Sequence, residues 1–179
     1  HEQAQNATAD GLFLVMFATH GFSDNGSDFV VGADSIRRRI VRTGIGVGEL
    51  FDDVSRSPAK RRIVLLDTCR ERLTAGTRGG GEGATWSDDF KRSIAETEGQ
   101  VILSATVAGG FSYDNTDRRN GVFSGALIDG LRGAAPADER GYITAETLSD
   151  YVNNEMVAWI RKKRPDHAAL STGIERVVA

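Results

Sequence analysis

Three short apolar runs limit what this chain can fold into: residues 11–19 (GLFLVMFAT), 62–67 (RIVLLD) and 100–106 (QVILSAT). Each is continuous, rich in Val, Ile, Leu or Phe, and bounded by polar residues or glycine. That pattern predicts strands buried on both faces. The stretches between them repeat with helical spacing. Leu50, Phe51 and Val54 share one face of residues 48–57, and Trp86, Phe90 and Ile94 recur every turn of 86–96. Val122, Phe123, Ala126, Leu127 and Leu131 do so over 122–131; Leu148, Tyr151, Val152, Met156, Trp159 and Ile160 do so over 144–160. Thr144 with Thr147 offers a cap, and Glu146 places an acid in the first turn. Buried strands alternating with helices predict an α/β fold: a mostly parallel sheet with helices on both faces, closed by an edge strand near 174–178.

Three loops interrupt this rhythm. Residues 22–34 are rich in Gly, Asp and Ser around a small alternating segment, 28–31. Residues 74–85 (TAGTRGGGEGAT) are glycine-rich and expected to be flexible, and 109–121 carries Tyr113, Asp114, Arg118 and Arg119. No internal repeat is present, and neither glycine-rich phosphate-binding motif occurs after a strand.

Composition narrows the function classes. With 179 residues, 40% hydrophobic and 26% charged, the chain has the size and balance of one globular domain. Its longest apolar run, 12–18, is far shorter than the ~20 residues of a membrane-spanning helix, so no membrane association is expected. No secretory signal opens the sequence, and the start at His1 predicts a processed or trimmed product. A net charge of −3 and a pI near 5.6 argue against coating nucleic acid. The basic clusters 37–39, 60–62 and 161–164 read as solvated faces and strand gatekeepers. The single cysteine excludes an internal disulfide and a four-thiolate metal site, and it favours a reducing, cytoplasmic setting.

In parallel α/β sheets, reactive groups gather beyond the carboxyl ends of the strands. The first run leads into His20 and Gly21, and the second into Asp67, Thr68 and Cys69. Taken singly, a cysteine there is ordinarily a small buried apolar residue, and a histidine a hydrogen-bonded bystander. Both residues end successive strands about 50 positions apart, so adjacent strands bring them together. An imidazole beside a thiol can take its proton and release a nucleophilic thiolate. A helix starting just after Cys69 would add its positive end. Gly21, lacking a side chain, lets its amide approach an oxyanion together with that of Cys69.

The stretches LFLVMFATHGFSDNGSDFVVGAD, RRIVLLDTCRER and VILSATVAGGFSYDN with NGVFSGALIDGL resemble the caspase-like cysteine peptidases. GYITAETLSDYV is similar to a segment of bacterial members, and the likeness covers nearly everything from Gly11 onward. Asp67 two positions before the cysteine, where animal caspases carry Gln, resembles bacterial homologues and metacaspases. Arg70-Glu71-Arg72 departs from the His-Ser-Gly common in metacaspases.

The resemblance implies a three-layer α/β/α caspase-like sandwich occupying 1–179, with the first two strands and helices of the family fold missing from this chain. It implies His20 as general base and acid, Cys69 as nucleophile, and the Gly21 and Cys69 amides as oxyanion hole. Asp67 would line an S1 pocket selecting Arg or Lys, with Asp114 as a second acid and Ser104 on its floor. Asp67 capping a following helix, and Asp114 shaping a turn with Asn115, are the plain alternatives.

Arg72, or Arg78 in the glycine-rich loop, would then be a self-cleavage point, the alternative being a simple linker. No cofactor or metal ligation is expected. Calcium is required by some metacaspases, but the acids here show no EF-hand spacing. The implied partners are a protein substrate and either a companion N-terminal fragment or an activating sensor or protease. The implied setting is a regulated bacterial proteolytic or defence pathway. A catalytically silent caspase-like scaffold is the rival of the same fold. A small-molecule hydrolase or receiver-like domain would have no reason to hold His20 near Cys69.

Overall fold

A computed structural model describes residues 2–72, 100–105, 113, 120–167 and 175–178. A short helix α1 (Glu2–Gln5) precedes β1 (Leu12–Asp24) and β2 (Ser27–Val30). A 3-10 turn at Arg37–Arg39 leads into α2 (Ile40–Thr43), β3 (Ile45–Gly46), α3 (Val47–Ser55) and β4 (Arg61–Arg72). β5 (Gln100–Ser104), α4 (Val122–Asp129), α5 (Ala145–Lys163) and β6 (Glu175–Val178) complete the described elements.

The six strands form one sheet in the order β3-β2-β1-β4-β5-β6. β1, β4 and β5 run parallel through its centre, while β2, β3 and β6 pair antiparallel at the edges. β4 alternates between two cores. Val64 and Leu66, fully buried, pack with Ile102 and with Val47, Phe51 and Val54 of α3. Ile63 and Leu65 point the other way, into a core built by Leu103, by Phe123 and Leu127 of α4, and by Val152, Met156 and Ile160 of α5. Helices therefore cover both faces, as the alternating sequence predicts. Burying a side chain such as Phe123, 1% exposed, contributes about 2–3 kcal/mol.

α4 is apolar nearly all round and is buried from Val122 to Leu127. α5 is fastened at its start by a reciprocal cap. Thr147 N–H donates to Thr144 Oγ1 at 3.2 Å, and Thr144 N–H donates to Thr147 Oγ1 at 3.1 Å. Arg161, Lys162 and Lys163 occupy its last turn, where cations complement the helix dipole. In the turn before it, the Tyr142 and Arg140 amides donate to Asp138, holding its carboxyl below the ordinary Asp value.

Two expectations need correcting. Residues 22–30 are a hairpin, not an irregular loop. Asn25 (φ 48°) and Gly26 (φ 82°) take the left-handed conformations of a tight type I′-like turn, and Gly21–Asp24 pair with Ser27–Val30. The first run is also not buried on both faces. Phe13, Val15 and Phe17 pack toward α3, but Leu12, Leu14 and Met16 are 55, 47 and 38% exposed. α4 and α5 stand over β4 and β5, so among the described residues they leave this face of β1 uncovered.

Candidate active site

The ladder between β1 and β4 sets the site. Twelve register pairs run from Leu12↔Arg61 to Ser23↔Arg72, and the ninth is His20↔Cys69. The two backbones are thus direct neighbours, about 4.8 Å apart by the spacing of paired strands. Neither residue ends its strand, contrary to the sequence expectation: β1 continues to Asp24 and β4 to Arg72. The hairpin explains this. Folding Ser27–Val30 back onto Gly21–Asp24 gives this polar stretch a partner on one side, while Arg70–Arg72 pair on the other. A consequence is that no helix begins just after Cys69, so the expected helix-dipole contribution at that point is absent.

His20 is exposed. Alternation along β1 places it with Leu14 and Met16 on the α4/α5 side of the sheet. Its backbone is pinned, because the Val31 amide donates to the His20 carbonyl at 3.0 Å and Thr19 Oγ1 donates to the Val31 carbonyl at 2.9 Å. Gly21 is buried between Val30 on β2 and Arg70 on β4.

Asp67 lies two positions before Cys69 and is only 7% exposed. Ser124 in the first turn of α4 donates a hydrogen bond to its Oδ2. The cap residue Gly121 comes so close that a Cβ there would stand 2.8 Å from that same oxygen. The start of α4 therefore receives the carboxylate with a hydroxyl and the positive end of a helix dipole. The alternative in which Asp67 caps a helix following Cys69 falls away, since Asp67 sits inside β4. Ser104, 1% exposed, pairs with Leu66 at the end of β5, and the Ala105 amide extends that ladder to the Leu66 carbonyl at 2.8 Å.

Tyr113 is anchored nearby. Its carbonyl accepts from Val122 N–H at 2.8 Å, its ring lies 5.6 Å from that of Trp159, and the Arg164 guanidinium stands 5.9 Å from its centroid. Arg72 closes β4. Asp114, Arg78, the 74–85 loop and the helix expected over 86–96 lie outside the described residues.

The Ser124 partnership is a contact that sequence reasoning missed. Its signal was a lone hydroxyl on an otherwise apolar helix, which needs a buried partner. Among the described residues, no cluster of three His, Cys, Asp or Glu is placed to hold a metal ion, and no helix is long and apolar enough to cross a membrane.

Comparison with known proteins agrees with this layout. The sequence matches the Caspase domain model (peptidase C14) over residues 1–172. No curated protein matches it. Among solved structures it is similar to caspase-1 from Spodoptera frugiperda, with a TM-score of 0.59 and 18% identity. That alignment takes in 99% of this chain but spans only 65% of the other, and at this identity the likeness concerns the fold. With a helix-flanked sheet whose central strands pair histidine and cysteine positions, and with that family match over nearly its whole length, the chain belongs to the caspase-domain family of cysteine peptidases.

Proposed function

We propose that the chain is a cysteine endopeptidase that cleaves proteins after Arg or Lys. One observation carries the reading: the strand register makes Cys69 the direct neighbour of His20 within a caspase domain. In the proposed reaction the His20 imidazole takes the thiol proton, and the Cys69 thiolate attacks the scissile carbonyl carbon. The Gly21 and Cys69 amides stabilise the resulting oxyanion. The C–N bond breaks as His20 returns the proton to the leaving amine, leaving a thioester on Cys69. Water activated by His20 then hydrolyses the thioester and frees the thiol.

The preference for Arg or Lys draws support from Asp67, a buried carboxylate two positions before the nucleophile. Ser104 and Asp114 are its proposed companions in the pocket. Arg72 and Arg78 are proposed self-cleavage points, the enzyme being switched on by a sensor or upstream protease in a bacterial, cytoplasmic pathway. The exposed stripe Leu12, Leu14 and Met16 supports a companion N-terminal segment packing on β1. No metal enters the proposed chemistry.

The deciding experiment is a fluorogenic peptide panel varied at the P1 residue, run with wild type, Cys69→Ala and His20→Ala. Cleavage after Arg and Lys should fall at least 10³-fold in both variants. Equal rates from wild type and Cys69→Ala would remove the peptidase reading and leave a binding module. A preference for Asp would keep the dyad and overturn the role of Asp67.

A further inference from the structure

Residues 36–45 (IRRRIVRTGI) hold four arginines and no acidic residue. They run from the 3-10 turn through α2 into β3, at the outer edge of the sheet. Hydrogen bonds fix their shape. Ser35 Oγ donates to the Thr43 carbonyl at 2.8 Å, Ile36 N–H donates to Thr43 Oγ1 at 2.9 Å, and the Gly44 amide donates to the Ile40 carbonyl at 2.7 Å. Ile40, 2% exposed, is the buried anchor of the segment.

Two kinds of side chain are left outside. Arg37, Arg38, Arg39 and Arg42 are exposed, and so are the aliphatic Ile36, Val41 and Ile45, at 51, 58 and 40%. Among the described residues eight large apolar side chains are exposed, and three of them fall in this one short segment. Scattered singly such residues are ordinary, but clustered among cations they mark an interaction surface. The side chains of Arg38, Arg39 and Arg42 have no ion-pair partner among the described residues. Asp24, in the recess beside the arginines, and the exposed Asp34 offset only part of the charge. Crowded guanidiniums repel one another, and an anionic surface relieves that cost. On a chain of net charge −3, the attraction is confined to this edge.

We propose that this segment docks the protein onto a membrane surface rich in anionic phospholipid. The arginines pair with lipid phosphates through their planar forks, and Ile36, Val41 and Ile45 enter the boundary between headgroups and acyl chains. The fixed turn limits the ordering cost of docking. Peripheral docking needs no spanning run, so it is compatible with the short apolar stretches of the sequence. It departs from the sequence expectations of a solvated face at 37–39 and of no membrane association. Single-stranded nucleic acid fits less well. No aromatic residue occurs in 36–45 to stack on a base, and the nearby Phe22 ring is covered by Arg37, 5.4 Å from its centroid. The basic cluster at 161–164 lacks the second ingredient, since Ile160 beside it is buried and Arg164 pairs with Asp166 at 3.1 Å.

The test is cosedimentation of the full chain with vesicles of phosphatidylcholine, alone or with about one-third phosphatidylglycerol. Its readout is independent of peptide cleavage. Wild type should pellet with the anionic vesicles and not with the neutral ones, and NaCl should release it. Arg38→Gln/Arg39→Gln should bind at least about tenfold more weakly, at roughly fivefold for each arginine lost. Ile36→Ser/Val41→Ser should bind about fivefold more weakly at equal salt. All these altered side chains are exposed, so unfolding midpoints should match wild type. Lys162→Gln/Lys163→Gln, with exposed lysines on α5, should bind as wild type does.

Wild type remaining in the supernatant overturns the proposal, as does undiminished binding by Arg38→Gln/Arg39→Gln. An equal loss in Lys162→Gln/Lys163→Gln overturns it too, because any cationic face would then serve. Binding that ignores Ile36→Ser/Val41→Ser removes the lipid boundary from the contact and overturns the membrane reading. Displacement from the vesicles by a substoichiometric single-stranded oligodeoxynucleotide overturns it in favour of nucleic acid.

Discussion

Asp67 and Ser124 form the pair on which the proposed specificity turns, and their two roles can be separated experimentally. A carboxylate at 7% exposure needs groups to receive it, and a hydroxyl and a helix start are among them. Ser124→Ala strips one partner from a buried acid and should cost about 1–3 kcal/mol in denaturant unfolding. Asp67→Asn keeps the volume and an acceptor for Ser124 but removes the charge. Its unfolding midpoint should move less than that of Ser124→Ala. Meanwhile kcat/KM on Arg peptides should drop at least tenfold, with P1-neutral peptides unaffected. An unchanged kcat/KM would make Asp67 a structural acid alone. The sequence singled out Asp67 but suggested a helix cap as its plain alternative. Its true partner lies 57 positions away on another element, a distance that local pattern cannot span.

At the scale of elements, the β1–β2 hairpin holds the candidate site together. It pairs Gly21–Asp24 and, through Val31, fixes the His20 carbonyl. Gly26 sits at φ 82°, where a Cβ meets no neighbouring atom, so the penalty for a side chain is purely conformational. Gly26→Val should therefore destabilise the protein by about 1–2 kcal/mol. Cleavage should fall with it if hairpin pairing positions His20. Full activity in a measurably destabilised Gly26→Val protein would uncouple the hairpin from the site.

The central strands, α3, α4 and α5 were legible because apolar periodicity survives in them. The hairpin was not, since Ser, Asp and Gly dominate its strands and only the Asn25-Gly26 dipeptide announced the turn. The same ladder explains why His20 and Cys69 lie inside their strands: backbone pairing continued beyond the point where apolar side chains stopped.

For the whole molecule, the sheet is covered unevenly, and the imbalance has a measurable consequence. α4 and α5 close over Ile63, Leu65, Leu103 and Ala105, whereas Leu14 and Met16, in register with Ile63 and Leu65, remain half open. Among the described residues no strand pairs the other edge of residues 12–20. A continuous apolar run in sequence carries no record of which neighbour covers each face, so burial on both faces was the natural but wrong expectation. Side chains on this one face of neighbouring strands should therefore respond very differently to mutation. Leu65→Ala, at a site 3% exposed, should cost about 2–5 kcal/mol, while Leu14→Lys, at 47%, should cost under about 1 kcal/mol in the isolated chain. Comparable losses in chemical denaturation would mean that Leu14 is buried in solution by a second surface. If a companion segment packs on β1, Leu14→Lys should leave the isolated chain folded yet weaken its association with that segment. An apolar stripe beside an open edge also favours self-association, so sedimentation should show Leu14→Lys to be the less aggregating protein.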